Sequence, residues 1–286
     1  MAVSEQSSAG LAGGVSPGRV KLTLAAIASY TVLAPLNSTM IAVALPDVID
    51  DLDVGVSTVA WLVMAYLIAM ASLQPLAGSL GDRYGRRRLM LGGLLAFGVA
   101  SIGAALSPDF AVLLGFRVLQ AVTIALVLPN GIAIVRDVVP TERRGSSFGM
   151  IGAASGLAAA AGPPIGGLLV AGAGWQAIFW VNVPVVAFAL IMGFKFIPDV
   201  PPSNTEKARF DWVGALLLPV VLMGAAGVFM GLARGVSLLL VLPAAVVVVV
   251  AARVVRVHLA AGGHASHHDA GGAIGRLYLD HLRAHL

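Results

Sequence analysis

Eight stretches of this 286-residue chain are continuously apolar for long enough to cross a bilayer, which takes about 20 residues of helix. They run from about Leu22 to Leu45, Ser57 to Leu80, Leu89 to Leu106 and Phe110 to Val135. The other four run from Ser146 to Ala171, Trp175 to Ile197, Trp212 to Ala233 and Val236 to Val257. Continuous runs exclude the alternating strands of a membrane barrel. With 58% hydrophobic and 11% charged residues, the chain has too little charge to cover a water-soluble globule. The sequence specifies an all-α integral membrane protein.

Cationic residues in short loops mark the cytoplasmic side of a membrane protein. Arg19 and Lys21 precede the first run, and Arg83, Arg86, Arg87 and Arg88 separate the second from the third. Arg136, Arg143 and Arg144 follow the fourth, Lys195, Lys207 and Arg209 follow the sixth, and Arg253, Arg256, Arg276 and Arg283 close the chain. These sixteen of the 18 Lys and Arg residues fall on one face. The other face carries Arg234 and an acidic loop with Asp47, Asp50, Asp51 and Asp53. Both termini are therefore expected in the cytoplasm. The net charge of +4 is topological and implies no nucleic-acid partner. Residues 1–18 hold no compact apolar segment, so a disordered cytoplasmic tail is expected there rather than a cleavable secretory signal.

The remaining cation, Arg117, lies inside the fourth run, where an arginine is costly unless it faces protein or water. It either snorkels to the interface or faces a cavity with Gln120 and Thr123, which follow within two turns. Asn37, Ser38 and Thr39 in the first run, Gln74 in the second and Asn130 in the fourth are further polar groups. Each alone reads as an interhelical hydrogen bond, and together they read as a cavity lining. Every Asp and Glu lies outside the apolar runs or at their ends, and every His lies at or beyond residue 258. With no Cys, no in-span His and no in-span carboxylate, nothing supplies a nucleophile, base or metal site, so an enzyme is not expected. A phosphate-binding G-x-x-x-x-G-K-[ST] loop is absent too, which argues against ATP-driven transport.

The segment Gly78-Ser79-Leu80-Gly81-Asp82-Arg83-Tyr84-Gly85-Arg86-Arg87-Arg88 joins the second and third runs. Gly78 would let helix ends approach, Gly85 would permit a tight turn, and Asp82 would cap a helix start and pair with an arginine. This pattern resembles the G-x-L-x-D-R-x-G-R-R loop of the major facilitator superfamily of transporters. Four further segments resemble motifs of its fourteen-span drug:proton antiporters. LNSTMIAVALP (Leu36–Pro46) is similar to the first-helix L-D-x-T-x-V-N-V-A-L-P motif, and RVLQA from Arg117 to the fourth-helix R-x-x-Q-G motif. GPPIGG (Gly162–Gly167) is similar to the fifth-helix antiporter motif, and WQAIFWVNVP (Trp175–Pro184) to the opening of the sixth helix. DWVGALLL (Asp211–Leu218) is similar to the start of the seventh helix in that branch.

The resemblance implies a six-helix N-terminal bundle over 19–197, a cytoplasmic loop over 198–210 and two linking transmembrane helices over 211–257. It implies multidrug efflux of small amphipathic, cationic or drug-like molecules across the plasma membrane by an antiporter. Arg117 and Gln120 would be the polar transport-cavity and coupling residues, and Asn37 and Thr39 would line the opposite wall of the cavity. Gly78, Asp82, Arg83, Gly85, Arg86 and Arg87 would form the gating loop. Gly162, Pro163, Gly166 and Gly167 would form a bent hinge and packing surface. Three positions depart from the pattern: Asn37 stands at the motif's aspartate, Ala42 at its asparagine and Ala121 at a glycine. An amide cannot carry a proton, so proton coupling through residue 37 is ruled out.

The family's C-terminal bundle has no counterpart in these 286 residues. That points to a truncated or frame-shifted product, working with a second half-transporter or as a homodimer. The alternative is a membrane module that binds a partner or hydrophobic ligand without transporting it. Residues 258–286 form a His-rich tail in which His264, His267, His268 and Asp269 offer no preorganised metal site. No cofactor is expected, and the expected partners are a small-molecule substrate and the lipid bilayer.

Overall fold

In a computed structural model, the described residues are 17–199 together with the isolated positions 221 and 225. The first of these belong to a compact unit that ends at Ala208. The expected seventh and eighth spans, most of the 198–210 loop, the His-rich tail and most of the N-terminal tail lie outside the described residues. Among the described residues, six helices are long and apolar enough to cross a membrane: Val20–Leu52, Val56–Tyr84, Arg86–Ala105, Phe110–Val138, Thr141–Ala173 and Ala177–Phe196. We refer to them as the first to sixth spans.

Several helices run past the apolar residues that predicted them. The first continues through Pro46 to Leu52 and ends on Asp53 in the left-handed region, φ 49°. Ile41, Ala44 and Val48 continue one buried stripe at helical spacing, so the helix persists where hydropathy fades. Asp47, Asp50 and Asp51 therefore ride on its last turns rather than in a loop. The same helix is interrupted at Val32. Pro35 has no N–H to give the Thr31 carbonyl, and the Thr31 hydroxyl turns back to the Ile27 carbonyl at 2.8 Å. The fourth span extends to Val138 and so carries Asp137 on its last turn. At its other end the Asp109 carboxylate caps it, accepting from the Val112 N–H at 2.9 Å.

The third and second spans pack against the fourth, the first against the fifth, and the sixth against the first and third. Two apolar cores result. One, near the basic end, contains Ile27, Tyr30, Leu33, Leu94, Phe97, Ala121, Ile124 and Val186. The other, near the acidic end, contains Met40, Ile41, Leu62, Ala104, Leu113, Ile178 and Phe179. Each span passes from one core to the other along its length. Between the cores lies a stratum of buried polar side chains: Asn37 on the first span, Ser101 on the third, Arg117 and Gln120 on the fourth, and Asn182 on the sixth.

Close approach of the second and fourth spans depends on Gly81. A Cβ there would stand 1.6 Å from Asn130 Oδ1, and Asn130 Nδ2 donates to the Ala77 carbonyl at 3.1 Å. The sequence assigned this approach to Gly78, but a Cβ at Gly78 would meet nothing among the described residues. Gly81→Ala should therefore lower the thermal unfolding midpoint, at a cost of about 1–3 kcal/mol for overpacking. Adding Asn130→Ala should restore part of the loss. Equal midpoints for wild type and Gly81→Ala would remove Gly81 from this role.

Candidate functional site: a buried guanidinium and a charged clamp

Arg117 is wholly buried, and its position follows from the register of the fourth span. Seven residues separate it from Phe110, so at 1.5 Å per residue it lies about 10 Å along the helix. Leu113 below it belongs to the acidic-end core and Ala121 above it to the other. The side chain does not snorkel. Nε donates to the Leu62 carbonyl at 3.3 Å, and Nη1 donates to Asn37 Oδ1 at 3.2 Å and to Gln120 Oε1 at 2.9 Å. Gln120 Nε2 in turn donates to Ser101 Oγ at 2.8 Å, and the Ser101 hydroxyl donates to the Phe97 carbonyl at 2.8 Å. The guanidinium carbon stands 4.3 Å from the Tyr66 ring centroid and 5.9 Å from that of Phe179, where the ring faces attract it.

Every acceptor on Arg117 is neutral. Both ion pairs among the described residues are made elsewhere, by Arg86. Three donors in the cluster have no hydrogen-bond partner: Arg117 Nη2, Asn37 Nδ2 and the Tyr66 hydroxyl. The last lies beside Ser38. Asn182, at the same level of the sixth span, has both amide atoms unpartnered.

Of the four residues expected to line a cavity, Arg117, Gln120 and Asn37 meet and Thr39 does not. The Thr39 hydroxyl bonds back to the Pro35 and Leu36 carbonyls at 2.9 and 3.2 Å. It faces the fifth span, where a Cβ on Gly162 would stand 1.8 Å from Thr39 Oγ1. Gly166 meets the Met40 backbone, and Gly167 only the rim of Val43. Gly162 and Gly166 thus seat the fifth span on the first, while Pro163 is exposed and the helix runs unbroken through it.

The loop between the second and third spans turns at Gly85, whose φ of 97° suits only glycine. Asp82 stands on the last turn of the second span and does not cap the third. It pairs with Arg86 across i,i+4 at 2.7 Å. Arg86 also pairs with Asp137 and reaches the Ala133 carbonyl, so three spans are joined at one guanidinium. Asp137 did not stand out in the sequence, because only the fold brings it to the loop. Arg87 donates to the Phe194 carbonyl at 2.8 Å, tying in the sixth span, while Arg83 lies 5.5 Å over the Tyr84 ring. At the opposite end Trp175 Nε1 donates to Asp51 Oδ2 at 2.8 Å.

Gln120 carries the cluster's connections, since it accepts from the cation and donates onward. Replacing it with leucine should cost about 1.5–3 kcal/mol, the usual value of a hydrogen bond to a charged group. Ser101→Ala removes one neutral bond and should cost less. Thermal unfolding of both variants in the same micelle tests this ordering, and a larger loss for Ser101→Ala would refute it.

The Major Facilitator Superfamily model matches residues 27–263 of the chain. An uncharacterized MFS-type transporter, YvkA of Bacillus subtilis (strain 168), is 45% identical over 187 residues, covering 65% of this chain and 42% of that protein. The tetracenomycin C resistance and export protein of Streptomyces glaucescens is 38% identical over 201 residues, covering 70% of this chain and 37% of that protein. The chain thus spans about two fifths of the length of these curated relatives. The crystal structure of the POT family transporter PepTSo shares the fold, with a TM-score of 0.60 at 15% identity over 82% of this chain and 52% of that one. The six-helix bundle, the motif loop and the family match together place this multi-pass membrane protein in the Major Facilitator Superfamily, a family of transporters rather than enzymes.

Proposed function

We infer that the chain forms one half of a secondary transporter that exports small amphipathic or drug-like molecules across the plasma membrane. The observation that carries this reading is the buried stratum around Arg117. A bundle serving only as a membrane scaffold gains nothing from an unneutralised cation held by neutral groups, because apolar side chains of similar volume pack at lower cost. Polar strata at mid-membrane are where secondary transporters handle their solutes. The export of tetracenomycin C named for the Streptomyces relative supports the direction. The Arg86 clamp acts as the gate: it holds the second, third and fourth spans in one arrangement and opens in the other. A second six-helix half completes the solute path. Asn37 carries no proton, so any proton that moves does so through another group.

Both termini face the cytoplasm in this reading. The loops at Gly85 and Pro140 and the end of the sixth span share the basic end, with Asp47, Asp51 and Asp109 at the other. The chain has no Cys, which makes single-cysteine labelling clean. In intact cells an impermeant maleimide should label Ser57→Cys, and it should reach Arg88→Cys only in inverted vesicles. The reverse pattern would invert the topology.

Transport itself is tested by Nile red uptake into inverted vesicles carrying the chain. Uptake above empty vesicles is expected, and Arg86→Ala should slow it roughly fivefold, corresponding to about 1 kcal/mol in the balance of gate states. Proton movement that accompanies uptake should survive Asn37→Ala. Nile red binding without uptake, persisting when a second half is supplied, would favour the alternative of a non-transporting membrane module.

A further inference from the structure

We propose that the Arg117 cluster is a binding site for a carboxylate group, so that organic anions are among the solutes this half recognises and are preferred at this site. The chemistry is one-sided. Arg117 Nη2, Asn37 Nδ2 and the Tyr66 hydroxyl are all buried donors without a partner. The three side chains are in one cluster, since Arg117 bonds Asn37 at 3.2 Å and stacks on Tyr66 at 4.3 Å. The Asn182 amide at the same level also lacks partners. Unpaired buried donors are costly, and here they surround a full positive charge whose present acceptors are the Leu62 carbonyl and two amide oxygens.

A cation gains nothing in such a place, because it meets a like charge and no carboxylate among the described residues. A neutral solute can accept hydrogen bonds from these donors but leaves the charge uncompensated. A carboxylate supplies both the negative charge and two acceptor oxygens, and an unoccupied guanidinium nitrogen flanked by an amide and a phenol presents donors for both. The residue that makes the site is Asn37. An aspartate at that position would place a carboxylate within reach of Arg117 and neutralise it from within. Asparagine keeps the hydrogen bond and withholds the charge, so the charge is left for a ligand to supply. Ser38, next in sequence and beside Tyr66, is partly exposed.

This proposal rests on the transport reading for the solute's fate, but its test is a binding measurement. The full chain in lipid nanodiscs at low salt is titrated with benzoate, benzamide, benzylammonium and chloride, followed by calorimetry and by the thermal unfolding midpoint. Benzoate should bind saturably and raise the midpoint. Benzamide should bind at least about tenfold more weakly and benzylammonium not at all. Asn37→Asp should weaken benzoate by at least about tenfold and benzamide by a much smaller factor, since only benzoate loses a charge–charge attraction. The proposal is overturned if benzoate binds no better than benzamide, or if Asn37→Asp retains full benzoate affinity. It is overturned equally if chloride matches benzoate, which would make the site one for a small inorganic ion. Benzoate binding in a chain that moves no solute would count against the transport reading alone. Uptake of Nile red without a preference for benzoate would count against this proposal alone.

Discussion

The bundle is organised around one positive charge in a place where charge is expensive. Arg117 is wholly buried, and no acidic side chain among the described residues shares the site, so the protein spreads the guanidinium over two amide oxygens, a backbone carbonyl and two ring faces. Meeting that demand takes residues from the first, second, fourth and sixth spans, with the third reached through Gln120 and Ser101. Five helices are thus fixed in register by a single side chain. A purely apolar interior would hold the same helices less specifically, because apolar packing tolerates small slips that a directed hydrogen bond does not.

The ends of the bundle are managed differently from its middle. At the basic end Arg86 shares itself between Asp82 and Asp137, both partly exposed and within reach of water. Exposed pairs of this kind are weak one at a time, which suits a contact that must form and release. The tight crossings nearby have the opposite character: Gly81 against Asn130 and Gly162 against Thr39 leave no room for a methyl group. Rigid crossings combined with a releasable charge cluster let helices move as a block rather than bend individually.

Much of this was legible in the sequence. The spans announced themselves by length and apolarity, and Arg117 stood out as a charge inside one of them. Gln120, one helical turn on, was found by spacing, and Asn37 by its place in a motif. What escaped had no local signature. Tyr66 and the Leu62 carbonyl are unremarkable in a hydrophobic helix, Ser101 is one small residue among many, and Asn182 sits in a segment whose tryptophans draw the eye. Asp137 follows an arginine at the end of a span and reads as loop until the fold carries it to Arg86. Thr39 failed in the other direction, since a hydroxyl in a helix can satisfy itself on its own carbonyls. Helix ends were misjudged wherever buried residues kept helical spacing after the mean polarity had risen, as from Asp47 to Leu52.

The division of the interior into two apolar cores has a mechanical corollary. The polar stratum acts as a floor between two storeys, one tied together by Arg86 and the other by Asp51 and Trp175. The buried apolar residues of the two storeys form separate clusters, so the effects of packing changes well above and well below the floor should add. Changes on the floor itself reach both storeys at once. A family built on this plan is free to vary each storey separately, adapting one to the lipid and solvent it meets on its own side. Drift in Asn37, Arg117 or Gln120 is instead paid for throughout the bundle.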